Sequence, residues 1–554
     1  MCYLPNSMLR RTFLALPAAA AVSSARPKKL NLGGVKEKHA WVPMSDGVKL
    51  STWLYIPEGE GPWPVIYEQR YAPIRADRTR IESAEFAAKG YVVATQNFRG
   101  AQDSKGHFLA YRALGLGEQR DGADTIDWFL QQPWCNGKVG SYGASQGGYA
   151  QNFLAASKPK ALHAQYMVDF GASLFHHGYR IGGAARPLRL RGMYKTAGAT
   201  VKDGEALLAD QLAHPVYDDW WKVEDTTLHW DAMSAPSFLI GSWFDRVSLG
   251  VVETFQGRHK AHPGKQQLIL GPWVHGRYNK DAAEVGELKF PDVAKFSVVD
   301  HQMRWFDHYL KGESNGVDQP APIRYYVMGA CGEPGAPGHQ WRDAQSWPPP
   351  SKETPYLLLD QGRLATGSAS SSAESTEWVS DPYNPPVLEG AQPQSGLDQR
   401  QLEMHSGART FTSETLSKPV EWTGMIRARL FFSSSARDAD AIVRVTDVYP
   451  DGRSILLTDM VRRLRFRNGF EREEFLEPGQ VYEATFDVAW LSHIFNKGHK
   501  IRVTICSAAA PYWEINPQTG DRITADLPKQ MQVARNAIWH TTQRPSALLA
   551  PVAG

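Results

Sequence analysis

Short apolar runs alternate with amphipathic segments from Val48 to Gly271. Val48 to Ile56 alternates apolar and polar side chains and reads as a strand, with a turn at Pro57 to Pro62. Pro64 to Glu68 and Tyr91 to Thr95 are buried strands; between them lies a helix with Ile81, Ala84, Phe86, Ala87 and Ala88 apolar, stopped at Gly90. Asp121 to Gln132 is helical, with Ala123, Ile126, Phe129 and Leu130 spaced as one buried face. Next come a strand ending at Gly143 and a helix through Tyr149 to Leu154. Continuous apolar strands alternating with helices predict a parallel sheet covered on both faces, with functional groups at the carboxyl ends of its strands. The alternation lapses from about 172 to 230, where short helices predict a cap over those ends. It returns at Pro236 to Gly241 and at Gln267 to Gly271. Beyond Trp347-Pro348-Pro349-Pro350, Ser-rich and Pro-rich loops give way to period-two runs: Ile426 to Phe432, Ala441 to Val448, Ser454 to Leu457 and Lys500 to Ile505. These predict an antiparallel sandwich. The expected division is a catalytic domain over 36–350, with the cap inserted at about 172–230, and a β-sandwich over 351–554.

Composition changes this picture little. A chain of 554 residues is long enough for two or three domains. With 42% apolar and 21% charged residues and a net charge of +3, nothing points to nucleic acid or an acidic membrane surface. The 18 tryptophans are expected mostly in the core. Cys2, Cys135, Cys331 and Cys506 have no short spacing, so neither a zinc site nor a disulfide framework is indicated. The N-terminus is more informative: Arg10-Arg11, Phe13-Leu14, an Ala-rich apolar run and Ser23-Ser24-Ala25 form a twin-arginine-like export signal over residues 1–25. A periplasmic or secreted enzyme, free of the membrane when mature, is therefore expected. The oligomeric state, a homo-oligomer included, is left open.

The chemistry centres on Gly143-Ala144-Ser145-Gln146-Gly147. G-x-S-x-G between a strand and a helix is a nucleophile elbow, a turn so sharp that small residues flank the serine, which lifts its hydroxyl off the sheet edge. The helix N-terminus supplies N–H donors for an oxyanion. In parallel-sheet hydrolases the partners follow in the order serine, acid, histidine. Asp245, just past one strand, and His275, in the loop after the next, fit that order at separations of 100 and 30 residues. The triple Ser145, Asp245 and His275 is the expected catalytic set. His176, His177, His259 and His262 are lesser rivals for the base, expected to be solvated in the cap or on a helix face.

At these residues the chain resembles the X-Pro dipeptidyl-peptidase/acyl esterase family, which includes cocaine esterases, glutaryl acylases and α-amino acid ester hydrolases. The resemblance rests on Gly90-Tyr91-Val92-Val93, Arg99-Gly100, Asp103-Ser104 and Gln132 to Gly140 before the elbow, and on Gly271-Pro272-Trp273-Val274-His275-Gly276. Asp447 to Arg453 and Lys497 to Val503 carry it into the second domain. It implies an α/β-hydrolase domain with a helical cap, a C-terminal jelly roll and no cofactor or metal. It also implies an oxyanion hole built from a tyrosine hydroxyl, here Tyr71, and the backbone N–H after the serine, here Gln146. Losing one such donor typically costs about 100- to 1000-fold in rate. Two departures stand out. Gln146 replaces a tyrosine common in the family and is expected to alter pocket shape and polarity. The carboxylates that hold a substrate ammonium in the α-amino ester hydrolases map to Ala172 or Ser173, Val247 and Ser248, none acidic.

The expected activity is therefore serine hydrolysis of a small carboxylic ester, or of an amide, through an acyl-enzyme. The alternatives are an X-Pro dipeptidyl peptidase, a β-lactam side-chain acylase and, outside catalysis, a carbohydrate- or surface-binding protein with a degenerate hydrolase domain.

Overall fold

The computed structural model describes residues 30–276, 283–367, 370–387, 395–508, 514–522 and 530–554. The export signal expected over 1–25 lies outside the described residues. The N-terminal part is a mixed α/β domain and the C-terminal part is all-β.

The first sheet is built from β1 (Lys36–Pro43), β2 (Lys49–Ile56), β3 (Trp63–Arg70), β4 (Val92–Asn97), β5 (Cys135–Ala144), β6 (Leu162–Val168), β7 (Ser237–Ser242) and β8 (Gln266–Gly271). Two further strands, Ile323–Val327 and Gln340–Ala344, complete ten in the order β1-β2-β4-β3-β5-β6-β7-β8 and then that pair. The pairs from β4 through β3, β5, β6, β7 and β8 to Ile323–Val327 are parallel. The β1–β2 and β2–β4 pairs and the far edge are antiparallel. Antiparallel edges can be closed by short hairpins, whereas the parallel centre needs helical crossovers. The crossovers include α1 (Asp77–Ala87), α2 (Asp121–Leu130) and α3 (Gln146–Ala156). β4 and β7 are buried along their whole length, as strands covered on both faces must be.

Two expected core positions are exposed. Ile81 is 41% exposed and Leu130 is 39% exposed. α1 turns Ser83, Ala84 and Ala87 to the sheet instead, and buries Arg80 through a two-pronged hydrogen bond to Glu37. The stretch between β6 and β7 holds α4 (Pro187–Thr196), α5 (Val201–Ala213) and shorter turns of helix.

The C-terminal strands, from Lys352–Leu359 to Ala547–Val552, form one eleven-stranded sheet system. All its pairs are antiparallel except Arg363–Thr366 with Ala408–Ser413. The two parts interlock. Met328 N–H donates to Ser492 O at 3.0 Å, Tyr217 N–H donates to Phe470 O at 2.7 Å, and Arg246 pairs with Asp459. Among the described residues no helix is long and apolar enough to cross a membrane.

Candidate active site

The sharp turn expected after β5 is present. Ser145 has φ +54° and ψ −112°, a backbone region that non-glycine residues rarely occupy, held by Ser145 N–H donating to Val168 O at 2.9 Å. Small neighbours are obligatory. Gly143 has φ +145°, and a Cβ there would stand 3.0 Å from Gly147 Cα. A Cβ at Gly148 would lie 2.7 Å from Phe170 Cβ.

The three residues expected to form the catalytic set meet at the carboxyl ends of β5, β7 and β8. His275 Nε2 lies 2.8 Å from Ser145 Oγ, and His275 Nδ1 lies 2.5 Å from Asp245 Oδ2. Val247 N–H donates to the other Asp245 oxygen at 3.2 Å, which fixes the carboxylate. The His275 side chain keeps 43% of its surface open, so a substrate can reach it. Burial works against its charged form. The charge and hydrogen bond of Asp245, joined by the charge of Asp169, outweigh burial and raise the imidazole to about 9.

Asp169 is the residue that the sequence reading missed. It follows β6, is fully buried, and adopts φ +45°. Ser242 Oγ donates to one of its oxygens at 2.8 Å, and Gly276 N–H donates to the other at 2.9 Å. Asp169 therefore ties down the loop that carries His275, one residue beyond it. Burial and then the nearby Asp245 charge push its carboxyl up to about 7, against the pull of His275 and its two donors. Asp169, Asp245 and His275 each bring a ligand-type atom within 4.8 Å of the others, the one such triple found among the described residues. Only a partial signal was available: Asp169 stands just past a strand, as Asp245 does.

Tyr71 follows β3, half-buried, with its ring edge-on to Phe98 at 5.8 Å. Its hydroxyl makes no hydrogen bond among the described residues, and burial holds the phenol above its ordinary pKa, so it stays a donor. Gln146 opens α3, where the first N–H groups have no acceptor within the helix. Its side-chain oxygen is taken up by the architecture: Oε1 accepts from Tyr71 N–H at 3.0 Å and from Ala72 N–H at 2.9 Å. The glutamine thus joins the two segments expected to form the oxyanion hole.

Two of the rival histidines, those in the stretch between β6 and β7, depart from expectation. His177 is buried and His176 half-buried, and burial pushes both down to about 4, so they are neutral packing groups rather than solvated ones. His259 stacks on Phe255, and His262 caps the helix Ser248–Ala261 with its ring 3.0 Å from Asp231 O. None of the four touches Ser145. Ala172, Ser173, Val247 and Ser248 are all buried, and Ser248 Oγ is bonded to the backbone of Ser242.

Beside the triple lies an open cavity of about 370 Å³. Tyr71, Tyr111, Tyr149 and Tyr179 line it, with one face of α4 as the opposite wall.

Residues 46–277 match the X-Pro dipeptidyl-peptidase (S15) family, and residues 315–549 match the X-Pro dipeptidyl-peptidase C-terminal non-catalytic domain. The chain is 29% identical to the cocaine esterase of Rhodococcus sp. (strain MB1 Bresler) over 575 residues, covering 92% of this chain and 97% of that protein. It is 22% identical to a putative Xaa-Pro dipeptidyl-peptidase of Rhodopirellula baltica over 456 residues, 76% of this chain and 65% of that one. Among solved structures, an aminopeptidase from a marine sediment Thaumarchaeota archaeon superposes with a TM-score of 0.83 at 24% identity, covering 96% and 99% of the two chains. An α-amino acid ester hydrolase superposes at 0.80 with 22% identity, covering 96% and 100%.

Proposed function

This chain belongs to the X-Pro dipeptidyl-peptidase (S15) family of serine hydrolases, and on that premise we propose that it cleaves carboxylic esters through an acyl-enzyme on Ser145. The observation that carries the reading is the continuous hydrogen-bond chain from Ser145 Oγ through His275 to Asp245, at 2.8 and 2.5 Å. Its catalytic part is taken as residues 36–350, capped from about 172 to 230, with 351–554 non-catalytic.

His275 Nε2 takes the Ser145 proton as Oγ attacks the ester carbonyl carbon. Asp245 holds the imidazole with its proton on Nδ1 and stabilises the imidazolium. The Tyr71 hydroxyl and the Gln146 N–H receive the oxyanion, where fixed donors act most strongly. The intermediate collapses, the C–O bond to the alcohol breaks, and His275 returns the proton to the departing oxygen. Water, deprotonated by His275, then attacks the acyl carbon and releases the acid and free Ser145. No step calls on a metal or organic cofactor, and the substrate is a small molecule. Arg10-Arg11 and the apolar run after them support export to the periplasm or medium.

A dipeptidyl peptidase needs an anion for the substrate's N-terminal ammonium, and Ala172, Ser173, Val247 and Ser248 supply none. Purified enzyme is therefore expected to turn over a short-chain p-nitrophenyl ester far faster than an Xaa-Pro-p-nitroanilide. Preference for the anilide in kcat/KM would overturn the choice of ester.

A further inference from the structure

The cavity beside Ser145 has an unusual polar lining. α4 presents Arg189, Met193 and Thr196 to it, a stripe at helical spacing along one face, and Arg186, just before the helix, joins them. Among the described residues the lining contains no carboxylate. Of the cations on this helix, Arg191 is directed elsewhere and reaches Glu205 at 3.4 Å. Arg186 donates to Gly178 O at 3.2 Å. The exposed Arg189 side chain makes no hydrogen bond or ion pair among the described residues.

The groups facing Arg189 are also donors. Tyr71 and Tyr111 have hydroxyls with no hydrogen-bond partner among the described residues, and burial keeps both phenols protonated. Tyr149 and Tyr179 use their protons on His177 O and Met193 Sδ. A cavity whose described lining offers an unpaired guanidinium, two unpaired phenol donors and no acidic side chain favours an anion and disfavours an ammonium. Tyr71 lines this cavity and is bonded through its N–H to Gln146, the residue after Ser145, at 3.0 Å, which puts the cavity at the reacting centre. At about 370 Å³ it can take a small acyl or alcohol group.

We propose that Arg189 is the anion-binding group of a substrate subsite, and that the ester cleaved here carries a carboxylate on its acyl or its alcohol part. The assignment rests on the ester-hydrolase reading above and narrows it to a substrate class. Planar guanidinium and carboxylate pair through two parallel N–H···O bonds, which fixes direction as well as charge. Tyr71, the proposed oxyanion donor, lines the same cavity as that anchor, so the carboxylate would set the depth at which the ester carbonyl rests.

The test compares kcat/KM for matched pairs of esters. Mono-p-nitrophenyl glutarate against p-nitrophenyl pentanoate places the carboxylate on the acyl side. 4-Carboxyphenyl butanoate against phenyl butanoate places it on the alcohol side. In at least one pair the wild-type enzyme should favour the carboxylated ester by about 10- to 100-fold, the range for a hydrogen-bonded charged group. The pair that does so identifies the side. Arg189→Gln should bring that ratio close to one, and Arg189→Lys should retain part of it. The ratio cancels any change common to both esters, including an altered His275 charge. A wild-type enzyme without carboxylate preference, or a preference that survives Arg189→Gln, overturns the subsite. Failure to hydrolyse any of the four esters would instead overturn the ester-hydrolase reading, and the subsite with it.

Discussion

Three charged groups bear on His275, and they do not act alike. Asp245 and Asp169 favour the imidazolium, whereas Arg189 opposes it. In the proposed mechanism the neutral imidazole is the base, so a value raised to about 9 should make kcat/KM climb with pH along an acid limb ending near there. The same raised value stabilises the fold below the unfolded histidine's value of about 6.5, and that contribution is lost as pH rises through about 9. Asp169→Asn removes a charge that favours the imidazolium, so the acid limb should move to lower pH by on the order of one unit. A pH profile of kcat/KM in the variant checks this; an unmoved limb would mean that Asp169 serves the loop alone. The serine, acid and histidine were legible because strand ends and chain order select them. Asp169 was not, because chain order has no slot for a second carboxylate and its neighbours Ser242 and Gly276 come close only in the folded sheet.

The elements around the site are held by contacts from distant segments. At the elbow a Cβ on Gly143 would crowd the backbone of Gly147, so these two glycines pass too closely for a side chain at 143. These glycines were readable as a motif. The Gln146 side chain was expected to shape the pocket, and instead bonds to the backbone of Tyr71 and Ala72. Sequence shows that a polar group follows the serine but not that two N–H donors come within its reach. The loop carrying Asp245 is braced from the other domain. Arg246 pairs with Asp459, and Asp459 also accepts from the buried Arg444 at 3.0 Å. Removing one partner of a buried ion network typically costs about 3–5 kcal/mol. Asp459→Ala should lower unfolding stability by about 3 kcal/mol in urea titrations, and should depress kcat although it lies outside the catalytic domain. Unchanged stability and turnover would show that the bracing does not matter.

At the scale of the whole molecule, the order of a mixed α/β part followed by an all-β part could be read from the change in hydrophobic period. Most of the parallel strands were legible because they are apolar runs, but β6 was missed, since His163 and Gln165 interrupt its apolar pattern. The edge strands Ile323–Val327 and Gln340–Ala344 escaped notice because they are short, and the second is only partly buried. The cavity could not be read at all, since its walls come from Tyr71, Tyr111, Tyr149, Tyr179 and α4, which only the fold brings together. The central claim, that this chain works through an acyl-enzyme on Ser145, is tested most directly by covalent capture. A fluorophosphonate should label the intact protein once, the adduct should map by mass spectrometry to Ser145, and ester turnover should fall in proportion to labelling. Ser145→Ala should neither label nor turn over ester. An adduct on another residue, or ester turnover that persists in Ser145→Ala, would contradict the account.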